Sequence, residues 1–358
     1  MNRITRATVH LAALRHNLAV VRSYTAGGAR VMAVLKADGY GHGLTRAAGA
    51  LTEADAFAVS CLAEALPLRA AGHRHRIVLL EGFFGAEEIP LFRREALEAV
   101  IHSPWQIECL EQAPAGEPID VWVKVDTGMH RLGFRPEDAH AARERLRRCE
   151  AVGTIRWMTH LACADDRDDP TTTAQRRAFE QARAGLPGEA SAANSAGTLG
   201  WPGVHGDWVR PGVCLYGVSP FIDGGERPPL RPGMTLEARL IAINHHRAGD
   251  RIGYGGTFVC PEDMPVGVVS IGYGDGYPRH ASNGTPVLVR GRTTGLTGRV
   301  SMDMLCVDLR PVPDAAVGDR VVLWGEDLPV ETVAAHCETI AYELVCQLTS
   351  RVSFVYAD

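Results

Sequence analysis

The sequence predicts an α/β fold, an N-terminal (β/α)8 TIM barrel followed by a mainly β C-terminal domain. Three observations predict it. Eight short apolar runs recur over residues 31–216 with longer helical patterns between them, and eight is the number that closes a barrel. Near residue 230 the texture changes to short β-rich runs between Gly and Pro turns. The first βα turn lacks a GxGxxG fingerprint, which counts against a dinucleotide-binding sheet, although spacing alone also allows an open doubly wound sheet.

Leu11, Leu14, Leu18 and Val21 recur at helical spacing, so residues 9–21 read as an amphipathic helix stopped by Gly27-Gly28. The strand-like runs then follow at 31–36, 56–60, 77–81, 99–102, 120–125, 154–160, 190–194 and 208–216. RPPLRPG, residues 227–233, is a breaker-rich link. Beyond it, 236–243, 266–271, 286–289, 304–309 and 320–324 read as strands, 330–337 and 342–348 as helices, and 351–356 as a last strand. Two domains are expected, 1–230 and 231–358, with no internal repeat.

Composition excludes several classes. Of 358 residues, 46% are hydrophobic and 22% charged, an ordinary globular balance, and a net charge of −5 leaves no basic footprint for nucleic acid. No run approaches the roughly 18 apolar residues of a membrane span. Arg3, Arg6, Arg15 and two histidines interrupt the N-terminus, so a secretory signal is not expected. Nine cysteines without a CxxC pair suggest free thiols in a reducing compartment, with the cytoplasm as default.

The candidate chemistry lies at the ends of the barrel runs. Lys36 closes VMAVLK, and a glycine-rich loop with Asp38, Tyr40 and His42 follows. Alone, Lys36 could equally be a solvated lysine that stops a strand. Arg131 follows the fifth run, His160 ends the sixth, Asn194-Ser195 ends the seventh and Arg210 lies in the eighth. His160 by itself fits a core histidine and Arg131 a surface ion pair. Together they converge on the face where such barrels hold active sites. Ser195 with Ala196-Gly197, and Gly212-Val213, fall in the loops where barrels often hold phosphate on backbone N–H groups. Tyr40 and Tyr342 could each add a hydroxyl, or be half-buried packing residues. A lysine beside a phosphate grip suggests Schiff-base chemistry, which a phosphorylated-sugar aldolase would share.

The run AVLKADGYGHG resembles the pyridoxal-phosphate (PLP) lysine motif of alanine racemases. Further blocks match in order: VKVDTGMHRLGF (123–134), THLACAD (159–165), ANSAG (193–197), VRPGVCLYG (209–217), RIGYGGTF (251–258), IGYGDGYPR (271–279), GRVSMDM (298–304) and TIAYE (339–343). The resemblance covers essentially the whole chain. It implies a PLP-dependent amino-acid racemase that interconverts L-alanine and D-alanine by a two-base mechanism, for peptidoglycan supply or D-alanine breakdown.

Site roles follow from the resemblance. Lys36 would carry PLP and serve as base on one face of the substrate; Tyr254 would be the base on the other, although its reference pKa is near 10. Tyr40, Ser195, Gly212, Val213 and Tyr342 would grip the phosphate, with Asn194 beside them and Leu80 packed near the cofactor. Arg210 would face the pyridine nitrogen, where most PLP enzymes place a carboxylate. Its pKa above about 12 keeps its proton on the guanidinium, which disfavours transamination. His160 would hydrogen-bond Arg210. Arg131 would contact the cofactor's phenolic oxygen and the substrate end, and Lys124 matches a position carbamylated in some members. The family is a homodimer in which Tyr254, Tyr273, Met302 and Asp303 of one subunit enter the other's barrel mouth. Ala341 stands where the family pattern has proline, and Met129-His130 is a further variant.

Other readings are weaker. A PLP-dependent decarboxylase of related architecture would place an acidic residue where Arg210 stands. A PLP-carrying barrel without turnover would lack residues 231–358. A zinc-assisted lyase would need a ligand set, and His245-His246 with Cys346 show no metal spacing, so no metal is expected.

Overall fold

Alternating burial makes Arg6–His10 a strand, β1, and the helical spacing that follows gives α1 (Leu11–Tyr24). The computed structural model describes residues 4–222 and 227–358. The helix expected from residue 9 begins at Leu11 because Val9 belongs to β1, which lies in the sheet of the β-rich unit. The chain divides into two units: Arg15–Leu215 with Ser219–Leu230, and Arg231–Asp358 with Tyr216–Val218 and the start of the chain through Leu14.

The first unit runs β2 (Arg30–Val34), α2 (Lys36–Tyr40), α3 (Leu44–Ala50), β3 (Ala56–Val59), α4 (Leu62–Ala70), β4 (Arg76–Leu79), α5 (Ile89–Arg94) and β5 (Leu97–Ile101). It continues with α6 (Pro104–Glu111), β6 (Ile119–Lys124), α7 (Ala139–Arg148), β7 (Val152–Met158), α8 (Thr171–Ala182), β8 (Ala190–Ser191), α9 (Ser195–Gly200) and β9 (Trp208–Val209). β2 to β9 pair in sequence order, all parallel, and β9 closes on β2, giving the expected eight-stranded barrel. The eighth strand is shorter than its apolar run. Pro211 has no N–H to donate, and Val213–Tyr216 folds into a 3-10 turn.

Charged side chains near the starts of the strands close the barrel floor. Buried Arg156 reaches Glu98 at 3.4 Å, Asp120 at 3.1 Å and Glu189 at 3.0 Å. Arg76 pairs with Glu98 and Asp120, and Arg30 with Glu189. The indole N–H groups of Trp122 and Trp208 donate to Glu98 (2.8 Å) and Glu189 (2.9 Å). Burial would raise the Glu189 carboxyl, but hydrogen bonds from Arg30, Trp208 and Arg156 override it and hold the group at about 2. Three cations thus meet three carboxylates, so no buried charge is left uncompensated.

The second unit contains β10 (Met234–His246), β11 (Arg251–Ile252), β12 (Phe258–Val259), β13 (Met264–Val269), β14 (Pro286–Val289) and β15 (Arg292–Gly295). β16 (Leu305–Asp308), β17 (Arg320–Trp324), α10 (Val330–His336), α11 (Ala341–Cys346) and β18 (Ser353–Ala357) complete it. Among the described residues an eight-stranded sheet runs β15-β14-β17-β10-β1-β18, with β13 branching from β10 and carrying β16. β1 lies parallel to β18 and antiparallel to β10, so the two ends of the chain share one sheet. Among the described residues no helix is long and apolar enough to cross a membrane.

Candidate active site at the barrel mouth

β2 ends at Val34, and Lys36 opens a tight turn at the C-terminal end of the barrel. Ala37, Asp38, Gly39, Tyr40 and Gly41 all have positive φ, between 53° and 76°. Such a left-handed run is strained for the three non-glycine residues. Its neighbours hold it. The Glu64 carboxylate accepts from the Ala37 and Ser60 N–H groups, both at 2.7 Å, and Asp38 Oδ1 accepts from Leu44 N–H at 2.7 Å. The turn points the chain away from the strand immediately after Lys36.

Arg210 follows β9 and is buried. Its Nη1 donates to Ser191 Oγ at 2.6 Å, and its Nη2 donates to the carbonyls of Thr159 (2.6 Å) and Ala192 (3.4 Å). Burial lowers its pKa only to about 10, so it remains a cation at neutral pH. His160 Nδ1 lies 3.3 Å from Arg210 Nη2 and accepts from it. Burial and the positive charges of Arg210, Lys124, Arg131 and Lys36 hold the His160 imidazole well below the ordinary histidine range. It is therefore neutral, as an acceptor facing a guanidinium must be.

Lys124 is the last residue of β6 and is almost fully buried. Burial, then the charges of Arg210, Arg131 and Lys36, lower its ammonium pKa to about 8. Lys124, Asp126, Arg131 and His160 line one small cleft. Asp126 shapes the loop that carries Arg131: its Oδ1 accepts from Gly128, Met129 and His130 N–H groups at 3.0, 3.1 and 3.0 Å. Burial opposes ionisation of Asp126, but these donors win and keep its carboxyl below the usual range. Four cations and one neutral histidine thus share the mouth, an environment suited to anionic groups.

At one edge hydrogen-bonding groups gather around Ser195. Ser195 Oγ accepts from the backbone N–H groups of Gly212 (2.8 Å) and Cys214 (3.5 Å). A Cβ on Gly212 would stand 2.4 Å from the Tyr40 hydroxyl, so glycine here lets that hydroxyl approach the backbone. The Gly212 and Cys214 N–H groups thus gather on the Ser195 hydroxyl, with the Tyr40 hydroxyl beside Gly212. Val213 opens the following turn and is buried, and Leu80 follows β4 at the same end of the barrel. Asn194 instead caps α9, its Oδ1 accepting from Gly197 N–H at 2.9 Å and its Nδ2 donating to Leu161 O at 3.3 Å.

Tyr254, Tyr273, Met302, Asp303 and Tyr342 belong to the β-rich unit. The loops around three of them are adjacent. Tyr273 N–H donates to Ser301 O (3.0 Å) and Gly274 N–H to Met302 O (2.8 Å), while Gly253 and Gly255 lie against Arg299. Tyr254 is 66% exposed, Met302 52% and Tyr273 38%, so these loops present apolar surface to solvent. Asp303 is ion-paired with Arg351, which also reaches Asp275 at 3.2 Å. Tyr342 lies in the first turn of α11.

Several residues of the site escape a reading of the sequence. Ser191 and Glu64 hold Arg210 and the lysine turn, and Arg279 lies 5.9 Å from the Tyr273 ring centroid. Their types are common, and Ser191 and Glu64 reach partners 19 and 27 positions away in the chain. Only the arginine after GYGDGYP carries a local signal, as a cation in a glycine-rich loop. Among the described residues no group of His, Cys, Asp and Glu could hold a metal ion.

The family described as alanine racemase, N-terminal domain, matches residues 9–220, and that described as alanine racemase, C-terminal domain, matches residues 233–356. An alanine racemase of Halorhodospira halophila is 57% identical over 355 residues, 98% of this chain and 97% of that protein. A catabolic alanine racemase of Pseudomonas putida is 51% identical over 348 residues, 97% of each chain. The crystal structure of a biosynthetic alanine racemase from Pseudomonas aeruginosa superposes with a TM-score of 0.96 at 44% identity, covering 99% of this chain and 100% of that one.

Proposed function

The chain belongs to the alanine racemase family, and we infer that it interconverts L-alanine and D-alanine with PLP bound at the mouth of its barrel. The observation that carries this reading is Arg210, a buried guanidinium held in place by Ser191, Thr159 and His160. A decarboxylase of related fold would need a carboxylate there.

The residues fit PLP. Gly212, Cys214, Ser195 and Tyr40 would offer N–H and hydroxyl groups to its phosphate, the lack of a side chain at Gly212 letting the Tyr40 hydroxyl come close. Tyr342 would be a third hydroxyl for the phosphate, and Leu80, Asn194 and Val213 would complete the surround. When bound, PLP supplies the electron-withdrawing ring that acidifies the substrate Cα–H.

The chain's own residues do the rest. Arg210 would donate a hydrogen bond to the pyridine nitrogen without giving up its proton, which would favour proton return to Cα over transamination. His160 keeps Arg210 oriented. Arg131 contacts the substrate end of the site. Lys36 Nζ takes or returns the Cα proton on one face, and Tyr254 Oη of a second copy does so on the other, so each turnover moves one proton off and one on. The exposed loops of Tyr254, Tyr273, Met302 and Asp303 support a homodimer in which residues 231–358 complete the partner's barrel mouth, the barrel within residues 1–230 being the PLP-binding part.

Lys124 is the candidate for carbamylation. Its pKa of about 8 leaves a free-amine fraction at neutral pH that can attack CO2, releasing one proton and replacing a repelled cation with an anion facing Arg131. The nine free cysteines and the absence of a long apolar helix among the described residues support a cytoplasmic enzyme. A reversible reaction serves D-alanine supply or D-alanine breakdown, and relatives named for both resemble this chain. Borohydride reduction of the PLP-loaded protein followed by peptide mapping tests the cofactor assignment: the label should sit on Lys36, and a label elsewhere contradicts it.

A further inference from the structure

Gln175 is a polar side chain on α8, and it is 1% exposed. Its Oε1 accepts from Ala162 N–H at 2.8 Å, and its Nε2 donates to His160 O at 3.0 Å and to Thr127 Oγ1 at 3.3 Å. Thr127 Oγ1 lies 2.7 Å from Thr159 Oγ1, whose hydroxyl donates to Val125 O at 2.8 Å. Because the Thr159 proton is committed to Val125, Thr127 must donate to Thr159, and Gln175 to Thr127. The chain of donors runs one way, amide to hydroxyl to hydroxyl to carbonyl, with each proton used once. The opposite amide orientation would set Oε1 against the His160 carbonyl, so the network fixes this one.

The two ends of this network are the two loops that build the mouth. One, after β6, carries Asp126 and Arg131; the other, after β7, carries His160 and the Thr159 carbonyl that receives Arg210 Nη2 at 2.6 Å. The loops also pack through the amide: Gln175 Cγ lies 3.4 Å from where a Gly128 Cβ would stand. None of these contacts reaches the reacting atoms.

We propose that Gln175 is a positioning residue that sets the spacing between the Arg131 loop and the His160 loop, and so places Arg131 against the substrate carboxylate. The inference rests on reading the barrel mouth as the racemase site. A misplacement of this kind acts on substrate binding more than on the proton-transfer groups, because Lys36 lies on a different strand end.

The test uses the PLP-loaded enzyme and its variants Gln175→Met, which keeps the volume and removes every side-chain hydrogen bond, and Thr127→Val, which breaks the chain while leaving Gln175 its bonds to Ala162 and His160. Amide hydrogen exchange should quicken by about tenfold over residues 126–131 in both, while exchange in β2 to β5 stays as in wild type. KM for alanine should rise by roughly 5- to 20-fold with kcat within about threefold. A residue that merely fills the core would lower thermal stability and leave the KM of the active fraction unchanged. Unchanged exchange over 126–131 in both variants overturns the proposal. If wild type fails to racemise alanine, the functional reading falls, and the exchange measurement still decides whether Gln175 positions these loops.

Discussion

Arg210 Nη1 lies 2.6 Å from Ser191 Oγ, and both side chains are buried. The same Ser191 hydroxyl donates to Trp208 O at 2.7 Å, so it accepts from Arg210 with its proton already placed. A buried guanidinium that must stay charged is thereby held by an acceptor that cannot turn away. Ser191→Ala should destabilise the protein by about 2 kcal/mol, the range for a hydrogen bond to a buried charge, read as a lower urea midpoint with unchanged m.

Lys124 makes stability depend on pH in the alkaline range. Its folded pKa is about 8 against an ordinary 10.5, so between these values the unfolded chain binds more protons and stability rises with pH. For the unmodified amine the gain approaches ~3 kcal/mol over that window. Lys124→Met should flatten it in denaturant titrations. Labelled bicarbonate should give the wild type a carbamate carbonyl resonance in 13C NMR that the same variant lacks, and no resonance in wild type would mean the lysine stays an amine.

The barrel floor predicts a large effect far from the mouth. Glu98 is buried between Arg76, Arg156 and the Trp122 indole. Glu98→Leu leaves those donors without their carboxylate and should cost about 3–5 kcal/mol by chemical denaturation. Asp120 has a side chain 31% exposed to water, so Asp120→Ala should cost clearly less.

The lysine turn stores strain that substitution can read. Ala37 sits at φ 54°, where glycine is favoured, so Ala37→Gly should stabilise by about 0.5–1 kcal/mol. Gly39→Ala should destabilise, since its Cβ would lie 3.1 Å from Ala47 Cβ at φ 63°. Thermal melts of the two variants moving in opposite directions support a left-handed turn; a loss in both contradicts it.

What the sequence carried was largely local. Barrel strands are apolar runs ended by polar residues, so the cations at the mouth stand out as breaks in a pattern. β1 was invisible because its partners, Met234–Glu237 and Ser353–Ala357, lie more than two hundred residues away and its apolar residues merge with those of α1. The eighth strand read too long because 208–216 is largely apolar around Arg210, while Pro211 and the 3-10 turn are backbone effects. Ser191 and Gln175 act through hydrogen bonds to segments 13 to 48 positions distant, and a serine or glutamine announces nothing by itself.

The most direct measurement is conversion of each alanine enantiomer by the purified, PLP-loaded protein beside Tyr254→Phe. The account predicts that wild type converts L- to D-alanine and back, and that the variant loses at least about a hundredfold in rate while keeping the cofactor absorbance. A wild type that binds PLP and leaves alanine untouched, or a Tyr254→Phe variant with undiminished rates in both directions, would contradict it.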